Sequence, residues 1–218
     1  MSRQKNAEHA AQRHSITEGV IWQQLLLFFF PILFGTFFQQ LYNTVDAVVV
    51  GQFVGTEALA AVGGTTGTLV NLFVGFFTGL ASGATVTISQ FFGGKQDDMV
   101  SQSVHTAIAF SIAVGAVMMA AGLLGAPFAL RAMGTPESVM AYATTYLRIY
   151  FIGIIPNLIY NMGAGILRAI GDSRRPLLFL IAGCFTNIVL DLLFVVKFNM
   201  GVAGAAWATI ISQAVSAI

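Results

Sequence analysis

Long apolar runs separated by short clusters of turn formers set the pattern of this 218-residue chain. Allowing about 20 apolar residues per membrane crossing, the pattern predicts six helical segments, at about 21–53, 57–90, 100–125, 138–167, 177–197 and 201–218. The separators carry the breakers: Gly55-Thr56, Gly93-Gly94-Lys95-Gln96-Asp97-Asp98, Gly134-Thr135-Pro136-Glu137, Gly171-Asp172-Ser173-Arg174-Arg175-Pro176 and Asn199-Met200-Gly201. Period-2 alternation is missing, which disfavours a β-barrel. The polar stretch at 1–17 reads as a tail, and the run after it is too long, and too poor in small residues at a cleavage site, for a secretory signal. The expectation is an all-α integral membrane domain over 18–218. The last segment reaches Ile218 without a cap or polar tail, which reads as a piece of something longer.

Within the segments some positions break the apolar rule. Pro31 frees the carbonyl of Leu27 and predicts a kink in the first helix. Pro156 does the same in the fourth, beside Asn157 and Asn161. Gly75, Gly79 and Gly83 place small residues on one face of the second, a spacing suited to close helix packing. Gln39, Asn43 and Asp46 form a polar stripe on the first segment. Asn187 and Asp191, four residues apart, share a face of the fifth at about 6 Å along the axis.

Composition agrees with the membrane reading: 56% of residues are hydrophobic and 9% charged, with 23 glycines and 19 phenylalanines. A soluble domain of this size needs more surface charge. The net charge of +1 gives no sign of a nucleic-acid partner, and the one cysteine, Cys184, has no intrachain disulfide partner. With the N-terminus in the cytoplasm, inner segments hold Arg3, Lys5, Arg13, Lys95, Arg168, Arg174 and Arg175, while outer loops hold Arg131 and Lys197. That bias satisfies the positive-inside rule. Arg148 is left within the fourth segment.

Asp46 and Asp191 are the only acids inside long apolar runs. A carboxylate at membrane depth costs several kcal/mol unless compensated, so each is a candidate functional residue. Both helices run outward, and counting about eight residues from Asp46 to Val54 and about six from Asp191 to Lys197 puts both roughly 9–12 Å below the outer boundary. On the inward-running fourth and sixth segments the same depth falls near Tyr146 and Thr209. A structural ion pair with Arg148 is the competing account, but one arginine cannot neutralise two acids, and positions 146 and 148 point about 200° apart on a helix. For Gln39 and Asn43, ordinary interhelical hydrogen bonds explain the pattern as well as cavity lining does.

The chain resembles the multidrug and toxic compound extrusion (MATE) transporters, most closely the bacterial DinF-like branch, from about Glu18 to the end. The residues that carry the likeness are Pro31 fifteen positions before Asp46, the run Leu41-Tyr42-Asn43-Thr44-Val45-Asp46 followed by Val50-Gly51, and the Asn187/Asp191 pair. Two inner loops join them, Gln90-Phe91-Phe92-Gly93-Gly94-Lys95 and the stretch from Leu167 to Pro176. The resemblance implies one six-helix N-terminal lobe of a twelve-helix fold, with the C-terminal lobe absent from this chain. It also implies a cation site at Asp46, Tyr146, Asn187, Asp191 and Thr209, and a helix bend at Pro31 during the transport cycle. Gln39, Asn43, Asn157 and Asn161 are candidate cavity-lining residues.

The activity expected is antiport by alternating access in a bacterial cytoplasmic (inner) membrane, exporting a hydrophobic or cationic small molecule. No cofactor is expected, and the coupling ion is H+ or Na+. Burial and a neighbouring like charge both favour a neutral carboxyl, so Asp46 and Asp191 could share a proton. Asp46, Asn187 and Asp191 could equally offer hard oxygen ligands to sodium. A flippase for lipid-linked sugars and a non-transporting membrane scaffold are the alternatives. The flippase would need a cationic cavity, for which Arg148 is the one candidate. An enzyme is disfavoured: His9, His14 and His105 lie in the tail or near an inner helix start, with no nucleophile–base or metal-ligand spacing.

Overall fold

A computed structural model of the chain describes residues 21–217, apart from the side chains at 21, 24 and 27. The tail at 1–17, its basic residues and His9 and His14 lie outside the described residues. Those described are all helical apart from short turns: α1 Ile21–Phe53, α2 Thr56–Gly63, α3 Thr65–Gly93, α4 Asp97–Ala132, α5 Glu137–Ile152, α6 Ile154–Ala169, α7 Arg174–Asp191 and α8 Gly201–Ala217. A π-helical turn, Leu192–Lys197, extends α7.

Four of the expected breakers turn the chain through left-handed backbone that favours glycine, at Gly55, Gly134, Gly171 and Gly201. The Gly171 turn is reinforced by Asp172, whose Oδ1 accepts the backbone N–H groups of Arg174 and Arg175 at 3.1 Å, while its Oδ2 pairs with Arg175 Nε at 3.1 Å. The loop acid is thus a helix cap.

The segment boundaries differ from the sequence expectation in four places. The second segment is two helices, because at Gly64 (φ −80°, ψ −120°) the chain leaves the helix where a Cβ would stand 2.5 Å from the Ala60 carbonyl oxygen. The third runs from Asp97 to Ala132, well past residue 125, and carries Pro127 within it. The fourth bends by 53° at Gly153 rather than breaking at Pro156. Pro156 falls in the first turn of α6, where its missing N–H has no intrahelical partner to lose, whereas Gly153 lets Ile210 of α8 press against the backbone. The fifth turns π-helical immediately after Asp191. Through Pro31, α1 continues as one helix.

Three stretches are long and apolar enough to cross a membrane, Thr56–Gly93, Asp97–Ala132 and Arg174–Lys197, and the bent α5–α6 pair supplies a fourth. Exposure is inverted relative to a soluble protein. Leu124 and Phe128 are 85% and 79% exposed, while Asp191 and Asn187 are fully buried. An apolar exterior around a polar interior is what lipid demands.

The interior has two main apolar cores. One gathers Leu69, Phe77, Leu130, Leu147, Ile154 and Leu158 from α3 to α6. The other joins Val49 and Val50 of α1, Ala58 of α2, Tyr146 and Tyr150 of α5, Val195 of the π turn and Val202, Ala205 and Ala206 of α8. Close approach of α7 and α8 depends on Gly183, where any Cβ would collide with Ser216 Oγ and stand 3.1 Å from the Ser212 carbonyl oxygen. The Gly75, Gly79 and Gly83 ladder does not pack as expected: all three are exposed, and a Cβ at each meets nothing within 4 Å among the described residues.

Candidate functional site

The second core has a polar edge. Asp46 comes from α1, Tyr146 from α5, Asp191 from the last residue of α7 and Thr209 from α8, all at most 6% exposed. Asp46 and Asp191 lie side by side, and the Tyr146 hydroxyl stands next to Thr209 and close to Asp46. The four helices thus bring these polar groups together.

No cation among the described residues compensates these groups. Arg148 is exposed on the opposite face of α5 from buried Tyr146, and among the described residues the one ion pair is that of Arg175 with Asp172. Asp46 Oδ1, both Asp191 carboxyl oxygens and both polar atoms of the Asn187 side chain are buried without a hydrogen-bond partner among the described residues. Leaving a buried charge unpaired costs several kcal/mol, so these acceptors are compatible with the fold only as neutral groups or with a cation among them.

Next to the pair opens a cavity of about 230 Å³. Asp46, Tyr146 and Thr209 line it, as do Gln39, Asn43, Asn157 and Asn161. Asn187 and Asp191 sit behind this wall, fully buried. Asn43 Nδ2 donates to Gln40 Oε1 at 3.2 Å, so Asn43 is held by its own helix rather than by a neighbour. Asn161 Nδ2 donates to Asn157 Oδ1 at 2.7 Å, and Asn157 Nδ2 donates to the Tyr150 hydroxyl at 3.3 Å.

The α8 wall is a ladder of hydroxyls whose protons are already spent. Thr209 Oγ1 donates to the Ala205 carbonyl at 3.0 Å, Ser212 Oγ to Thr209 at 2.7 Å and Ser216 Oγ to Ser212 at 3.0 Å. With their hydrogens turned to the helix backbone, these groups can only accept from the cavity. Such a row of acceptors along one side of the cavity suits a cation or a protonated donor.

Sequence reasoning missed Tyr42, Tyr150, Ser212 and Gln213 as lining residues. Their signal was available: Tyr42, Tyr150 and Gln213 stand four residues from Asp46, Tyr146 and Thr209 on the same helix faces. The π-helical turn left no comparable trace, because Leu192–Lys197 reads as an ordinary apolar helix end. Such turns recur at functional sites in helices.

The described residues thus form an all-helical unit, apolar outside, with buried acids beside a polar cavity. The MatE family profile matches residues 31–193, and the chain belongs to that family. It is 37% identical over 208 residues to the probable multidrug resistance protein YpnP of Bacillus subtilis, covering 93% of this chain and 45% of that one. Against DNA damage-inducible protein F of Escherichia coli the identity is 28% over 202 residues, 90% and 42% of the two chains. Among solved structures, a MATE protein in the bent conformation superposes with a TM-score of 0.83 at 29% identity, covering 91% of this chain and 44% of that one. A MATE protein in the straight conformation gives 0.82 at the same identity, covering 88% and 42%. The chain therefore spans under half the length of these relatives.

Proposed function

We propose that this chain is the cation-coupling, N-terminal lobe of a multidrug antiporter, with six spans, its N-terminus in the cytoplasm and the inner membrane as its location. An inward gradient of H+ or Na+ drives export of a hydrophobic or cationic small molecule by alternating access between this lobe and a second one. The observation that carries the reading is the set of buried oxygens of Asp46 and Asp191, unpartnered among the described residues, beside a cavity lined by hydroxyls and amides. A fold tolerates that arrangement when a positive ligand visits it.

In the cation-loaded state Asp46 and Asp191 share the charge, with Asn187, Tyr146 and Thr209 completing the oxygen set. When the cation leaves, the two like charges repel within a poorly screened space, and α1 is the element free to respond. Its inner half exposes Phe29, Phe30, Leu33 and Phe34 rather than burying them, and it carries Pro31, where one backbone hydrogen bond is missing. The bent and straight relatives fit a lobe of this design with two arrangements. The flippase alternative is not favoured, because Arg148 lies outside the cavity and no other cation among the described residues lines it for a pyrophosphate.

The test is cation-driven efflux by the full-length protein in energised vesicles. Asp46→Asn and Asp191→Asn are each expected to abolish it while leaving membrane insertion intact. Parental efflux by both variants refutes the site.

A further inference from the structure

Each of three wall-forming helices repeats its polar residue one turn further in. Tyr42 precedes Asp46 by four residues on the outward-running α1, and Tyr150 and Gln213 follow Tyr146 and Thr209 by four on the inward-running α5 and α8. One helical turn is about 5.4 Å, so these three side chains form a second polar layer about that far inward of the carboxyls. All three line the same cavity. Tyr42 and Tyr150 both border Gln213.

The second layer differs from the first in having no ionisable acid. Its central feature is Gln213, whose Oε1 is buried and has no hydrogen-bond partner among the described residues. The hydrogen-bond directions around it are set from the inner side. Asn161 donates to Asn157, and Asn157 donates to the Tyr150 oxygen, so the Tyr150 hydroxyl has its own proton free to give. The Gln213 amide and the two phenol groups together form a neutral polar set whose oxygens carry lone pairs and no formal charge. It attracts a hydrated monovalent cation or a protonated water without holding it as tightly as a carboxylate does.

We propose that Gln213, with the hydroxyls of Tyr42 and Tyr150, is a transfer station through which the coupling cation passes between the Asp46–Asp191 pair and the inner side of the lobe. The station rests on the reading of that pair as the coupling site. A neutral set one turn from a charged one lowers the barrier to leaving the charged set and adds little to equilibrium affinity. A relay and a direct ligand therefore have different signatures: a relay changes the rates of binding and release together, and a direct ligand changes the affinity.

The experiment uses the purified full-length protein in detergent, rapidly mixed into a weakly buffered pH-dye solution for H+ release or a sodium-dye solution for Na+ release, with equilibrium titration of the same samples. Gln213→Met removes the amide oxygen at similar volume, and Tyr150→Phe removes a single oxygen atom should the first variant not fold. Each is expected to slow release about tenfold, the effect of one charge-assisted hydrogen bond, with the dissociation constant within about twofold of the parent. Parental release rates in both variants overturn the station. So does a loss of affinity matching the loss of rate, which makes Gln213 a ligand of the carboxyl site. Asp46→Asn serves as the reference: cation binding that persists in it overturns the coupling pair and the station together. Binding lost in Asp46→Asn with parental release in Gln213→Met overturns the station alone.

Discussion

Replacing Asp191 by asparagine tests the compensation of the buried pair more directly than a transport assay does. Asp191 is fully buried, both carboxyl oxygens lack partners, and no protein cation pairs with it among the described residues. In the parent, a bound cation is attracted by the carboxyl pair. At about 4 Å and an effective dielectric of about 20, one unit of charge on that pair contributes about 4 kcal/mol, or close to three orders of magnitude in affinity. Asp191→Asn keeps the volume and removes the ionisable group. Linkage then fixes what thermal unfolding will show. A ligand at about 100 times its dissociation constant stabilises the folded state by about 2.7 kcal/mol, so a variant binding about a thousandfold more weakly loses nearly all of that increment. The assay is thermal unfolding of the full-length protein in detergent across a Na+ series at fixed pH and a pH series without Na+. The parent should gain stability as Na+ rises if sodium is the ion, or as pH falls if the proton is, because the folded state then holds a proton that the unfolded state releases. Asp191→Asn should show a much weaker Na+ response and a reduced pH response carried by Asp46 alone, and should be no less stable than the cation-free parent, since it removes a charge and keeps the volume. Parental cation dependence in the variant refutes the reasoning. Marked destabilisation at every pH and sodium concentration refutes it too, because Asp191 would then be a structural residue.

Three further outcomes test the framework around the site. Pro31→Ala restores a backbone donor in α1 and is expected to reduce efflux turnover while cation binding, measured by titration, stays intact; unchanged turnover argues against a functional bend. Gly153→Ala sets a Cβ against Ile210 and should cost about 1–3 kcal/mol by overpacking, with Ile210→Ala in the same chain recovering a good part of it in thermal unfolding. Non-additivity of that pair is the required result, and simple addition refutes the contact. Gly79→Ala, by contrast, meets open space in this lobe and lies within a helix, so thermal stability should hold or rise by about 0.5–1 kcal/mol.

Much of the lobe is legible in the order of its residues. Breakers at Gly55, Gly134, Gly171 and Gly201 mark turns because their left-handed backbone excludes most other residues, a local property written at single positions. Membrane character follows from the length of the apolar runs, and the two acids stand out because a carboxyl in such a run is costly wherever the helix packs. Depth counting then places Tyr146 and Thr209 at the level of Asp46 and Asp191, since rise per residue is nearly constant in any α-helix.

Other features come only from packing between helices. The bend at Gly153 rather than Pro156 depends on Ile210 of a distant helix pressing into the backbone, and the open space beside Gly75, Gly79 and Gly83 depends on what stands opposite them. Whether Arg148 faces the acids is a question of rotation about α5, answered by which side of that helix the cores bury. The second polar layer at Tyr42, Tyr150 and Gln213 combines both kinds of information. Its spacing of four residues is written in the chain, while its convergence on one cavity exists only once α1, α5 and α8 are brought together by contacts far apart in sequence.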